Sequence, residues 1–130
     1  MQSMTAAEVQ VRSEAARKFL EVAHMVEDDT SDPALPRVTS ALAVLAGIAA
    51  SDAICGHVLK ERPQGQDHQE AVRVLAGIRG AGELATSLRR LLADKTTSQY
   101  GTTYMTAQKA SAMVRYAEKL VEGMDRQLRE

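Results

Sequence analysis

The stretch from about Leu35 to Leu59 constrains the fold more than any other part of the chain. Ala41, Leu45, Ile48, Ala49 and Ile54 are packed into it, with Arg37, Asp52, Cys55 and His57 as its ionisable residues. A helix that is apolar on most sides has no polar face to turn to water, so it belongs at the centre of other helices. Its longest unbroken apolar run, Ala41 to Ala50, is ten residues and stops at Ser51-Asp52. A membrane span needs roughly twenty, so a buried helix is the expectation and a bilayer partner is not. The apolar residues are also of one kind: 21 alanines against one Phe, three Tyr and no Trp. Small side chains suit helices in close contact, whereas sheets favour β-branched and aromatic residues.

The remaining chain reads as helices separated by short breakers. Thr5-Ala-Ala-Glu8 has the S/T-x-x-E form of a capping box, and Ala16, Phe19, Leu20, Ala23 and Val26 follow at helical spacing to about Glu27. Asp28 to Pro33, with Pro36, interrupts it, and Arg62-Pro63-Gln64-Gly65 ends the apolar helix. Asp67-His68-Gln69-Glu70 resembles a second capping box, opening a helix through Val72, Leu75 and Ile78. After Gly80-Ala81-Gly82, a helix is expected from about Glu83 to Thr96, with Leu84, Leu88, Leu91 and Leu92 on one face. Thr97 to Met105 is expected as a loop. A last amphipathic helix carries Ala110, Met113, Val114, Ala117, Leu120, Val121, Met124 and Leu128. No strand pattern stands out. The fold class predicted is all-α, a single domain over residues 1–130 forming an antiparallel bundle of four to five helices.

Sixteen basic and 17 acidic residues leave a net charge of −1, which excludes a domain that grips nucleic acid by its global field. The opening MQSMTAAEVQ lacks the cationic and apolar segments of a secretory signal, and Cys55 is the single cysteine. A reducing, cytoplasmic setting is therefore the expectation. Eleven Arg against five Lys, with abundant Ala, suggest a bacterial genome of high GC content.

Ionisable residues on apolar stripes carry more information than surface charges, because burial is costly unless they are paired. Asp52 follows Leu45 by seven residues and Ile48 by four; Lys95 follows Leu88 by seven and Leu91 by four. Both therefore fall on leucine- or isoleucine-bearing faces. One reading is a structural Asp52–Lys95 contact, or a lysine complementing a helix C-terminus. The other is a polar ligand pocket of Asp52, Lys95 and Tyr100.

Metal and cofactor chemistry find little support. Glu21-Val-Ala-His24 has the Glu-x-x-His spacing of di-iron bundles, but no second copy exists and His57 and His68 share no short ligand spacing with it. Cys55 has no adjacent base and sits in the most apolar helix, where a thiolate is disfavoured. Gly77, Gly80 and Gly82 lack the following Lys-Ser/Thr of a phosphate loop. Neither a metal nor a cofactor is expected.

The order of an alanine-rich central helix, Asp67-His68, the leucine helix leading into Lys95-Thr-Thr-Ser-Gln-Tyr100-Gly101, and a closing Ala/Val-rich helix resembles the HEPN superfamily of small helical bundles. The resemblance covers roughly residues 35 to 128. It implies a homodimer, often paired with a nucleotidyltransferase partner or antitoxin, whose active members cleave RNA with an Arg-x4–6-His motif across the dimer cleft. In such a pair the histidine moves a proton and the arginine stabilises phosphate charge. The matching positions here are Lys95 and Tyr100. Lysine keeps the charge but not the bidentate fork, and a phenol holds its proton at neutral pH. The expectation is thus a non-catalytic binder of a partner protein or nucleotide-like ligand. A ribonuclease toxin using Lys95 with His68 or Tyr100 is the alternative, and a purely structural adaptor the third reading. Arg62 and His68 also fit Arg-x5-His by spacing, but ahead of a helix and not at the end of the leucine-rich one.

Overall fold

The computed structural model describes residues 1–64 and 68–130, except for the side chains of Thr97 and Gln99. The expected apolar helix is α2 (Leu35–Leu59), and helix α1 (Ala6–Glu27) precedes it. The capping box is present: Glu8 N donates to Thr5 Oγ1 at 3.1 Å and Thr5 N to Glu8 Oε1 at 2.9 Å. The backbone and side-chain bonds from Thr5 hold the Glu8 carboxyl below its ordinary range. Helices α3 (His68–Ala76) and α4 (Gly82–Ala93) form a hairpin, the short α5 (Lys95–Tyr100) follows, and α6 (Ala107–Leu128) closes the bundle. The all-α bundle is therefore observed, with five helices of nine residues or more and one of six among the described residues.

Residue pairs give the helix directions. Arg12 meets Asp52 and Arg17 meets Asp125, so α1 runs antiparallel to both α2 and α6. Leu84 lies against Gly123 and Asp94 pairs with Lys109, so α4 is antiparallel to α6. Thr39 shares a cavity with Ala110, and His57 Nε2 lies 3.2 Å from Glu130 O, so α2 and α6 run the same way. Helix α2 is long and apolar enough to cross a membrane by length and composition, but most of that surface is buried against its neighbours. Its small residues set the spacing. A Cβ at Gly47 would run into the side chain of Leu91 and come within 3.2 Å of Leu120 Cδ1, both leucines being fully buried.

Three features differ from the sequence expectation. First, residues Gln2–Ser3 (β1) and Glu61–Arg62 (β2) pair antiparallel, Gln2 opposite Arg62. Two residues are too short to show alternation; the pairing follows from Lys60, whose left-handed backbone (φ 62°) ends α2 and turns the chain back. Second, α4 ends at Ala93, before the expected Thr96. Asp94 N donates to the carbonyls of both Leu91 and Leu92, a tightening last turn. Third, the expected loop from Thr97 begins only after Tyr100. Ser98 N donates to Asp94 O at 2.9 Å and its Oγ to Lys95 O, and Ser98 is buried where α5 packs on α2, so local bonds and packing together hold a polar segment helical. The proposed cap at Asp67 lies outside the described residues.

Cys55 is fully buried in α2, and burial first, then the Asp52 charge, push its thiol from the usual 9.0 up to about 11. The thiolate is the reactive form, so iodoacetamide should label native protein far more slowly at pH 8 than urea-unfolded protein. Equal rates, read by intact mass, would count against this burial. A raised thiol pKa also means the folded state holds its proton longer. Its contribution to stability is complete below the unfolded value near 9 and is lost as pH rises towards 11.

Candidate functional site

The α3–α4 hairpin brings together residues that lie far apart in sequence. His68 is the first residue of α3 and Lys95 the first of α5, and Lys95 Nζ lies 3.2 Å from His68 Nε2. An ammonium can only donate, so a charged Lys95 uses Nε2 of His68 as the acceptor in this contact. Beside the pair runs a groove of about 400 Å³ between α3 and α4. Val72, Leu92 and Ala93 give it an apolar floor, while Arg73 and Arg89 join His68 on its walls. Neither the Arg73 nor the Arg89 side chain has a hydrogen bond or ion pair to another side chain among the described residues, although the Arg73 carbonyl accepts from Gly77 N. The groove is lined almost entirely by apolar surface, so Arg73 and Arg89 present mainly their hydrocarbon stems to it.

The expected residues are distributed differently from the predicted pocket. Lys95 and His68 are in contact, whereas Tyr100 is 75% exposed at the end of α5. Asp52 does not join Lys95. Its Oδ2 accepts from Arg12 Nε at 3.2 Å and from Arg62 Nη1 at 2.8 Å, with its side chain only 13% exposed. The reason lies in the stripe used to place it. Leu45 is 39% exposed and Ile48 half-buried, so that line of α2 is a flank beside α1 and not the core face. Asp52 accordingly ties α1, α2 and β2 together. The same contact takes Arg62, of the Arg62-x5-His68 spacing, to Asp52, while His68 goes to Lys95.

The Glu21–His24 spacing does not gather ligands either. Glu21 pairs with Lys18 at 2.6 Å, and His24 Nε2 lies 2.9 Å from Glu118 Oε1. Among the described residues no group of three or more His, Cys, Asp or Glu could hold a metal ion. A larger recess, about 840 Å³, lies where the ends of α2 and α6 meet the α3–α4 turn, lined by Lys60, Arg79 and Arg126. Lys60 and Arg126 sit at the C-terminal ends of α2 and α6, where they offset the carbonyl ends of the dipoles, and Arg79 lies in the α3–α4 turn. Lys60 Nζ already donates to His57 O.

Sequence reasoning missed Arg73 and Arg89, for which no signal beyond helical position was present. Arg12 as a partner of Asp52 was equally hidden, since it depends on the register of α1 against α2. No protein-family model matches this chain, and no curated protein is significantly similar to it.

Proposed function

We propose that this chain is a HEPN-like, non-catalytic binding protein that works as a homodimer and takes a nucleotide-like ligand in the α3–α4 groove. The ligand's phosphate meets Lys95 and the neighbouring arginines, and its base lies over Val72 and Leu92. The observation that carries the reading is the 3.2 Å Lys95–His68 contact beside an apolar groove walled by Arg73 and Arg89. An anion with a flat apolar part uses both features, whereas a simple phosphate uses only one. The homodimer is supported by Val38 and Leu45, exposed seven residues apart on one face of α2. It predicts a dimer mass by light scattering, and a monomer at micromolar concentration would remove that part of the proposal.

Isothermal titration with AMP and ADP tests the site. Wild-type protein should bind saturably. Lys95→Met and Arg89→Glu should each weaken binding by about tenfold or more, worth roughly 1.4 kcal/mol. No binding by the wild type would end the proposal. Unchanged affinity in Lys95→Met, with partner binding also intact, would favour a structural adaptor.

The Lys95–His68 contact also favours one second reading, a ribonuclease with Lys95 as charge stabiliser and His68 as the proton-transfer group. Total RNA incubated with wild type and with the Lys95→Ala/His68→Ala variant separates the two. Cleavage by the wild type alone would establish a nuclease, and cleavage insensitive to the variant would dismiss it.

A further inference from the structure

The recess of about 840 Å³ draws its cations from three separate elements: Lys60 from the end of α2, Arg126 from the last turn of α6, and Arg79 from the α3–α4 turn. Against them, Glu130 brings the one carboxylate side chain among the described residues that line it. In a chain of net charge −1 that is a local excess of positive charge. Arg12, Arg17, Arg62 and Arg115 each meet a carboxylate. The exposed side chains of Arg79 and Arg126 have no hydrogen bond or ion pair among the described residues. Their backbones are nevertheless fixed. Gly80, with φ 81°, turns the chain after Arg79, and Gln127 Nε2 donates to Arg79 O at 2.9 Å. Gln127 is only 8% exposed and follows Arg126 directly, so one buried bond fastens both arginines beside the same space. The helix carbonyls that would repel an anion there are already taken up. Gly56 O accepts from Lys60 N, His57 O from Lys60 Nζ, Arg126 O from Arg129 N and Gln127 O from Glu130 N.

We propose that this recess binds a small sugar carrying two phosphate groups, gripped by Arg79 and Arg126. The lining chooses the chemistry. A guanidinium is a planar fork that meets a phosphate through two parallel hydrogen bonds, and two forks on different elements suit two phosphates. Lys60 adds a third charge, since its ammonium has three donors and only one is spent on His57 O. The volume lies within the roughly 300–1,000 Å³ of small-molecule sites, far more than a lone inorganic anion fills. Between the cations the lining is mixed, with His57 and Gln127 beside Val58 and Ile78, and no Phe, Tyr or Trp among the described residues that line it. A base would find no ring to stack on. A sugar's hydroxyls find partners instead, because Gln127 spends its amide nitrogen on Arg79 O and keeps its amide oxygen to accept from one. This site shares no lining residue with the α3–α4 groove and does not depend on a ligand there.

The test uses fructose bisphosphate as probe, with fructose and sodium sulfate at matched ionic strength as comparisons, followed by calorimetry and thermal melts of the full chain. Fructose bisphosphate should bind saturably and raise Tm, while fructose should do neither. Arg79→Met and Arg126→Met should each weaken binding by about tenfold or more. Both side chains are exposed, so these variants should melt as wild type does without the probe. Glu130→Gln should tighten binding, because it removes the carboxylate from the lining. Lys95→Met should leave the affinity unchanged, which separates this recess from the α3–α4 groove. Absence of saturable fructose bisphosphate binding would overturn the proposal. So would unchanged affinity in both arginine variants, an equal loss in Lys95→Met, or sulfate binding as tightly as the bisphosphate, which would mark a general anion patch.

Discussion

Gly47→Leu should cost this protein most of its stability, reading as loss of the cooperative unfolding transition or a large fall in its midpoint. A single Cβ at Gly47 already collides with Leu91, and Leu120 stands 3.2 Å away. Both leucines are completely buried, so neither can swing outward to make room. Two opposing effects meet in the milder Gly47→Ala. Alanine gains about 1 kcal/mol of helix propensity, but overpacking a filled core costs typically 1–3 kcal/mol. A net loss of about 1 kcal/mol is expected, with leucine several-fold worse. Leu91→Ala alone should cost about 2–5 kcal/mol through its cavity. Combined with Gly47→Ala it should lose less than the sum, because the new methyl enters space the leucine has left. Strict additivity in denaturant melts would show that the two side chains do not share that space. Gly82→Ala is the control, since a Cβ there meets nothing within 4 Å. It should be neutral or slightly stabilising.

The second large effect is expected at Asp52. Removing this carboxylate leaves Arg12 and Arg62 converging on the same partly buried position, at 3.0 and 2.8 Å from where its Oδ2 now sits. Two guanidiniums facing each other without their shared anion repel, and each loses a charge-assisted hydrogen bond. Asp52→Ala should therefore destabilise by about 3 kcal/mol, the lower end for breaking a buried pair, because both arginines remain one-third exposed. The penalty has a signature. Arg62→Met in the Asp52→Ala background should recover part of the loss by removing one stranded charge. If Asp52→Ala costs no more than an ordinary surface substitution, the carboxylate does not fasten α1 and β2 to α2. Because Asp52 belongs to this tie and not to the ligand groove, the same variant should bind AMP as wild type does once folded.

The sequence carried most of the helix layout and little of the candidate site. Residues such as Thr5, Glu8, Pro33 and Gly80 act locally, through caps and breakers, so α1, α2 and the α3–α4 hairpin are visible as patterns. Lys95 and His68 were both legible as unusual residues, one below a leucine stripe and one at a helix start. Their contact was not, because it spans 27 positions and depends on how the hairpin folds back.

Extrapolating a helical stripe fails where the helix ends or where a face is only half covered. Lys95 was placed by continuing α4 beyond Ala93, but the helix stops there at Asp94. Asp52 was placed by treating Leu45 and Ile48 as core, yet that flank of α2 lies open enough for Arg12 and Arg62 to reach it. By itself the sequence determined an alanine-rich, aromatic-poor helical bundle around α2, since helical period and local capping are encoded within a few residues. Only the tertiary structure decided which ionisable groups meet: Asp52 with Arg12 and Arg62, and Lys95 with His68. Those pairings depend on helix register and direction, which small-residue contacts such as Gly47 against Leu91 set across the bundle and no local pattern records.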